Sequence, residues 1–199
     1  ITVNPVSNSI FDLAGNIAAT NQSNNSITLN DKLGPTITGI AIAGDNATVN
    51  VTLAETAYPG VPNSGALTVN DWILTIPDTN STAKLGSATP TSISKSGNVY
   101  TLGMNIQGTP DGNETLMVNP AANSIYDALD NISSTTQTNN SAKLKDKTPA
   151  TVQSISVAAN NATIAVTMSE PIFNASNGQG ALEKSDFAFT LSGGSAVLV

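Results

Sequence analysis

Residues 46–53, NATVNVTL, set the structural class of this 199-residue chain. Val49, Val51 and Leu53 alternate there with polar residues, which is the period-two pattern of a β-strand with one buried face. The same pattern returns 115 positions later in residues 161–168, NATIAVTM. A strand that recurs at a fixed, long spacing predicts a repeated β domain.

The spacing of 115 residues holds along the whole chain without a gap, and residues 1–84 share 31 identities with residues 116–199. The matching segments include VNP at 3 and 118, NSI at 8 and 123, DK at 31 and 146, and GAL at 65 and 180. We therefore expect the C-terminal part of one repeat in residues 1–32, a complete repeat in 33–147 and the N-terminal part of the next in 148–199. A repeat of this size is a whole domain rather than one rung of a solenoid. The abrupt start on Ile1, in what reads as a strand, leads us to expect a longer chain.

Alternation and turn residues predict about seven short strands in the complete repeat. The first two contain Ile40 and Val49 and are joined by a turn at Gly44-Asp45-Asn46. The later strands are expected at 71–76, at 82–95 with a kink at Pro90, at 100–106, at 115–118 and at 142–144. No segment has the 3.6-residue period of a helix. The pattern predicts an all-β chain of tandem immunoglobulin-like β-sandwich domains, with Trp72 as a core anchor.

The segment Asp12-Leu-Ala-Gly-Asn16, followed by a strand, Asp31 and Pro35, resembles the bacterial Ig-like repeats of large secreted adhesins. The further pattern of Glu55, GAL at 65–67, DW at 71–72 and SIS at 92–94 is similar to repeats of marine bacterial surface proteins. The resemblance covers the whole chain and implies a tandem sandwich fold on a cell surface. The complete repeat departs from it at Asp130, which replaces the glycine of the DLAGN segment.

Composition excludes several classes of function. The chain has 7 Lys, no Arg, His or Cys, and 14 acidic residues, giving a net charge of −7. Such a surface repels phosphate, so nucleic acid is not expected as a partner. No apolar run is long enough to cross a membrane. Without His or Cys the usual catalytic triads cannot form, and Ser92-x-x-Lys95 sits beside a hairpin turn rather than at a helix start, so we expect no enzyme.

Calcium is the one cofactor that the sequence predicts. In a seven-strand sandwich the strands run between two poles, and several acidic loops return to the pole where the chain enters. This holds for the linker before the first strand, the loop between the second and third strands, and the loop after the sixth. The predicted ligands are Asp31, Glu55, Asp71, Asp127, Asp130 and Asn131. Carboxylates that converge in this way repel one another unless a hard cation with six to eight oxygen ligands binds between them.

The same reasoning predicts a second calcium site in the next repeat. Its residues are Asp146, Glu170 and Asp186, each 115 positions after a residue of the first site. Asp12 is the counterpart of Asp127 and is expected to serve an upstream site.

These features predict an extracellular or cell-surface structural protein, such as an adhesin, a stalk or a filament component. Its expected partners are copies of itself, neighbouring repeats, and surface glycans or proteins. A glycosylated surface-layer lattice stays open as an alternative, because ten Asn-x-Ser/Thr sequons occur. They lie at Asn21, Asn24, Asn46, Asn50, Asn80, Asn113, Asn131, Asn139, Asn161 and Asn174. A second alternative is that the repeats are spacers of a large secreted enzyme.

Overall fold

The computed structural model describes residues 1–77 and 81–195, which divide into two compact units, Ile1–Asp146 and Lys147–Val199. The described part is all-β, with antiparallel sheets, two short 3-10 helices and no α-helix. None of its helices has the length and apolarity needed to cross a membrane. The strands of the first unit are β1 Ile37–Ile42, β2 Thr48–Leu53, β3 Trp72–Thr75, β4 Ala83–Leu85, β5 Ile93–Ser96, β6 Val99–Gly103, β7 Ile106–Gly108, β8 Thr115–Pro120 and β9 Ser141–Lys143.

Two larger sheets of the first unit share one hydrophobic core. One sheet has the order β1-β2-β6-β5 and the other has the order β3-β8-β9. Their inward residues form a single buried cluster, in which Val51 of β2 and Val118 of β8 are both fully buried. Trp72 of β3 and Tyr100 of β6 join the sheets, with ring centroids 5.5 Å apart. Trp72 is therefore a core residue, as predicted.

The structure divides two segments that the sequence presented as single strands. Residues 82–95 form β4 and β5, and residues 100–106 contribute to both β6 and β7. β5 and β6 belong to the four-stranded sheet, whereas β4 and β7 pair with each other in a separate two-stranded sheet. The backbone bends at Thr89 and Thr91, on either side of Pro90, which has no amide hydrogen for a ladder bond. Gly103, which faces Thr91 and Ser92, ends β6. Alternation shows which face of a strand is buried but not which sheet the strand joins, so the pattern could not predict this division.

The second unit contains β10 Val152–Val157 and β11 Ile164–Met168, which form an antiparallel pair. Their register reproduces that of β1 and β2 at the offset of 115 residues: Ile40 pairs with Val51, and Ile155 pairs with Val166. Even the register shift near the start of the first strand occurs in both pairs. For this hairpin, the repeat in the sequence is therefore also a repeat in strand register.

Candidate metal centre

Three carboxylates from distant parts of the chain meet in the first unit. An oxygen from each of Asp31, Glu55 and Asp127 lies within 4.8 Å of the other two. Asp31 is exposed, Glu55 is partly buried and Asp127 is buried. We call these three residues the carboxylate cluster. All three belong to the set of calcium ligands that the sequence predicts.

Asp31 is positioned by a linker that lies against the loop after β8. Ser133 donates its hydroxyl hydrogen to the Pro35 carbonyl at 2.6 Å, and Asn131 Nδ2 donates to the Asp31 carbonyl at 3.2 Å. A Cβ atom at Gly34 would overlap the carbonyl group of Ile132. Only glycine permits this close approach. The sequence therefore places Asp31 next to the loop of Asp127 through a glycine.

Asp127 is held by its own loop. Its Oδ1 accepts backbone hydrogen bonds from Leu129 and Asn131, each at 2.8 Å, and its Oδ2 accepts one from Asn131 Nδ2 at 2.7 Å. Burial acts to raise the pKa of Asp127, but the hydrogen bonds from Asn131 and Leu129, helped by the charge of Lys32, outweigh it and lower the pKa. Asp127 is therefore an ionised carboxylate that its loop holds in a fixed orientation.

Glu55 follows β2, in a loop whose backbone pairs with the chain just before Asp127. The backbone amides of Tyr58 and Tyr126 each donate to the other residue's carbonyl, at 2.8 and 2.9 Å. Burial raises the pKa of Glu55, and the charges of Asp127 and Asp31 raise it further. Without a cation, the surroundings of Glu55 in the folded protein thus disfavour its ionisation.

The donor set fits calcium. Ca²⁺ binds oxygen at about 2.4 Å, so two of its ligands can be separated by at most about twice that distance. The oxygens of the carboxylate cluster lie within that limit. The cluster has no nitrogen or sulfur donor, which suits a hard cation rather than zinc or copper. A bound Ca²⁺ would offset two of the three neighbouring negative charges and would take its remaining ligands from water or backbone carbonyls.

The other predicted ligands of the first site have different positions. Asn131 orients Asp127 through its amide group. Asp130 is exposed and adopts a positive φ of 64°, close to the 84° of Gly15 at the equivalent position. The replacement of glycine by Asp130 therefore preserves the loop, because Asp tolerates this left-handed conformation better than most residues.

Asp71 lies outside the cluster and holds a turn. Its Oδ2 accepts hydrogen bonds from the Thr68 amide at 2.6 Å and from the Thr68 hydroxyl at 3.1 Å, in front of the 3-10 helix Val69–Asp71. Asp186 repeats this, accepting from the Glu183 amide at 2.8 Å before the helix Lys184–Asp186. The repetition of this acid is thus explained by local structure alone.

The predicted second site is divided between the two units. Asp146 belongs to the first unit and lies beside Gly112, at which a Cβ atom would stand 3.3 Å from the Asp146 Cβ. Glu170 and Asp186 belong to the second unit. This site therefore stays a prediction. Asp12 lies in the first unit and has the same hydrogen bonds as Asp127, from Ala14 at 2.9 Å and from Asn16 at 2.8 Å.

Glu114 and Asn46 are buried polar residues whose structural roles the sequence did not predict. Glu114 is 1% exposed, and its Oε1 accepts hydrogen bonds from the Thr82 hydroxyl at 2.6 Å and the Ala83 amide at 3.0 Å. Asn46 is 4% exposed, and its amide group bonds to both the amide and the carbonyl of Lys145, at 2.8 and 2.7 Å. Glu114 has no motif around it. Asn46 begins a sequon and recurs as Asn161, but neither feature predicts its bonds to Lys145.

The remaining sequence candidates fall on strands and turns. Lys95 lies in β5 with its Nζ 5.3 Å from the centroid of the Tyr100 ring, and Ser92 accepts a backbone bond from Gly103 at 2.9 Å. Of the sequon residues, Asn46 is buried and Asn131 is partly buried, whereas Asn80 lies outside the described residues. The others are exposed: Asn21, Asn24, Asn50, Asn113, Asn139, Asn161 and Asn174.

No protein-family model, curated protein or solved structure matches this chain. The resemblance to bacterial Ig-like adhesin repeats therefore stays a prediction from the sequence.

Proposed function

We propose that this chain is a stretch of an extracellular structural or adhesive protein, built from Ig-like β-sandwich repeats whose junctions are stiffened by Ca²⁺. The observation that supports this best is the carboxylate cluster. Asp31 belongs to the linker before the first strand of the complete repeat, whereas Glu55 and Asp127 belong to loops of that repeat. A cation bound there would tie the linker to the domain that follows it.

The sheet arrangement supports the Ig-like part of the proposal. Two antiparallel sheets share one core, and an aromatic contact between Trp72 and Tyr100 connects them. Ig-like sandwiches have two packed antiparallel sheets with a buried tryptophan. The matching registers of the β1–β2 and β10–β11 pairs support tandem copies of this domain.

Stiffening follows from electrostatics. Without a cation, the three carboxylates repel each other; burial first, and then this repulsion, raises the pKa of Glu55. Asn131 and Ser133 hold the linker by hydrogen bonds. With Ca²⁺ bound, the same carboxylates attract a common charge and resist separation. A chain of such domains would be extended and resistant to bending, which is what a surface stalk or adhesin requires.

A location outside the cell is proposed from the chemistry of Ca²⁺ binding. Free Ca²⁺ is abundant outside cells, so extracellular modules function with weak sites of about 10⁻⁴ to 10⁻³ M affinity. A site with three protein carboxylates and water ligands belongs in this weak class. The partners we propose are copies of the chain, neighbouring repeats, and surface glycans or proteins.

The test is thermal unfolding of the full chain at neutral pH with Ca²⁺ in the millimolar range, with Mg²⁺, and with a chelator. We expect Ca²⁺ to raise the midpoint, because a ligand that binds only the folded state stabilises it by mass action. A free Ca²⁺ concentration of about ten times the dissociation constant would stabilise the folded state by roughly 1.4 kcal/mol. Asp31→Asn should remove most of this increase.

Asp45→Asn is the matched control. Asp45 Oδ1 accepts the Ala47 amide at 2.9 Å, and the equivalent Asn160 Oδ1 accepts the Ala162 amide at 3.0 Å. The substitution therefore removes one carboxylate outside the cluster and keeps the turn. An equal Ca²⁺ increment in Asp31→Asn and Asp45→Asn, or no increment in the unaltered chain, would remove calcium from the proposal.

A further inference from the structure

Two side-chain amides join the first strand of the complete repeat to the segment that contains its last strand. Asn46, in the turn after β1, accepts the backbone amide of Lys145 at 2.8 Å and donates to the Lys145 carbonyl at 2.7 Å, just past β9. Gln137, ahead of β9, accepts the backbone amide of Ile37 at 2.8 Å, where β1 begins. We call the side chains of Asn46 and Gln137 the amide clasps. They link β1 to the β9 segment at both ends.

The clasps also show how β1 and β9 are oriented. The two strands belong to different sheets and lie next to each other. The start of β1 is bonded to a residue before β9 and the turn after β1 to a residue after β9, so the strands run in the same direction. The chain enters the repeat at the start of β1 and leaves it at the end of β9. Tension along the chain therefore pulls the two strands in opposite directions, in shear.

Asn46 lies at the point where this tension reaches the repeat. An amide side chain has the donor and the acceptor of a peptide group, so Asn46 pairs with Lys145 as the backbone of a neighbouring strand would. It is buried and adopts a φ of 61°, a left-handed conformation that Asn tolerates better than most residues. Behind it, the exit is held by the Leu144 amide on the Glu114 carbonyl at 2.9 Å and by the three residue pairs of the β8–β9 ladder.

Both clasp residues recur at the repeat spacing of 115, Asn46 as Asn161 and Gln137 as Gln22. Asn161 adopts the same left-handed conformation, with a φ of 56°. Gln22 and Gln137 also share a local bond, because each Nε2 donates to the carbonyl three residues earlier, at 2.6 and 2.7 Å. The clasp residues are thus a property of the repeat rather than of one copy.

We propose that the amide clasps make the repeat resistant to tension along the chain. Load that arrives at Lys145 passes through Asn46 to the β1–β2 hairpin, instead of acting on the short β8–β9 ladder alone. Gln137 holds the other end of β1, so both clasps oppose the sliding of β1 past β9. This inference deepens the proposed function and rests on its structural role, since resistance to pulling serves a surface stalk. It involves none of the three residues of the carboxylate cluster.

The test pulls single molecules of the full chain by their two ends at constant load, in chelator, because forced unfolding is governed by the unfolding rate. Asn46→Gly removes both bonds to Lys145 and keeps the turn, since glycine adopts a positive φ without strain. We expect the complete repeat to unfold about tenfold faster, because two hydrogen bonds are lost. Asn123→Gly is the matched control: Asn123 has a φ of 55° and is exposed, so the rate should change less than about threefold.

The direction of pulling separates a clasp from an ordinary stabilising contact. The sequence has no cysteine, so handles can be attached at Thr75→Cys and Ser94→Cys, exposed positions of β3 and β5. This direction pulls the two sheets apart without loading Lys145, and Asn46→Gly should change the rate less than about threefold. The unaltered chain should unfold more slowly when pulled by its ends. Equal acceleration by Asn46→Gly in both directions, or none in the end-to-end direction, would overturn the proposal.

Gln137→Ala tests the other clasp and decides the matter if Asn46→Gly does not fold. Gln137 is only partly buried, so its loss leaves the core of the repeat unchanged. We expect faster unfolding in the end-to-end direction and no change between the sheets; no acceleration end to end would contradict the proposal. Because chelator is present throughout, a failure of calcium binding would leave these rates unchanged, and Ca²⁺ would still raise the melting midpoint if the clasps had no mechanical role.

Discussion

Glu55 is the residue at which folding and ionisation oppose each other. Its pKa is raised from the ordinary 4.5 by burial first, and then by the charges of Asp127 and Asp31. A group whose pKa is higher in the folded state binds its proton more tightly there. The corresponding stability is complete below pH 4.5 and is lost as the pH rises through the raised value.

Glu55→Gln should therefore stabilise the cation-free protein. In chelator at pH 7 we expect its unfolding midpoint to exceed that of the unaltered chain by about 2 °C, because the cost of burying a charge and the repulsion are both gone. The difference should shrink towards pH 4, where Glu55 is mostly protonated in both states. Thermal melts between pH 4 and 7 measure it, with Asp45→Asn as the control for the loss of one charge. A lower midpoint for Glu55→Gln at pH 7 in chelator would contradict the proposed repulsion.

The sequence predicted the members of the cluster because their loops follow alternating strands, so their pole could be counted from strand directions. It included Asp71 for the same reason. Counting strands places a residue at a pole but does not show whether its side chain turns outward to a ligand or back to its own helix, as Asp71 does. That distinction depends on local hydrogen bonds with Thr68, which leave only a weak trace in the sequence.

At the level of elements, the hairpin β5–β6 bends where its strands leave the four-stranded sheet. Gly103 ends β6 at that bend, and a Cβ there would overlap the Ser92 hydroxyl and come within 2.5 Å of the Thr91 hydroxyl. The alternation of Leu102, Met104 and Ile106 continues through the bend. The alternation is set by burial, and burial continues although the chain changes its pairing partner from β5 to β4. For this reason the pattern predicted one strand.

Gly103→Ala should destabilise the protein by about 2 kcal/mol, since its neighbours must move to admit a methyl group. Gly39→Ala is the matched control, because Gly39 also lies in a strand, has no atom within 4 Å of its Cβ direction, and is Ser154 in the next repeat. We expect the control to change stability by less than about 0.5 kcal/mol. Urea unfolding measures both, and equal effects would show that the bend does not depend on the missing side chain.

On the scale of the whole molecule, the two copies of the first hairpin have the same strand register but different neighbouring strands. The pairs β1–β2 and β10–β11 have the same register and the same shift, so local sequence is sufficient to set the hairpin. Their surroundings differ: β2 lies between β1 and β6 over the core, whereas β11 pairs only with β10 in the described structure. Local pattern therefore predicts the shape of a hairpin, while its stability comes from the strands and core that cover it.

Hydrogen exchange measures this separation directly. Val51 and Val166 occupy the same repeat position and pair with Ile40 and Ile155. If the hairpin alone determined protection, the two backbone amides would exchange hydrogen at similar rates. Because Val51 is fully buried in the core of the first unit, we expect its amide to exchange roughly a hundredfold more slowly than that of Val166 in dilute protein. Exchange followed by mass spectrometry at low concentration resolves the two segments. Equal protection of both hairpins would mean that register alone stabilises them and that the shared core contributes little.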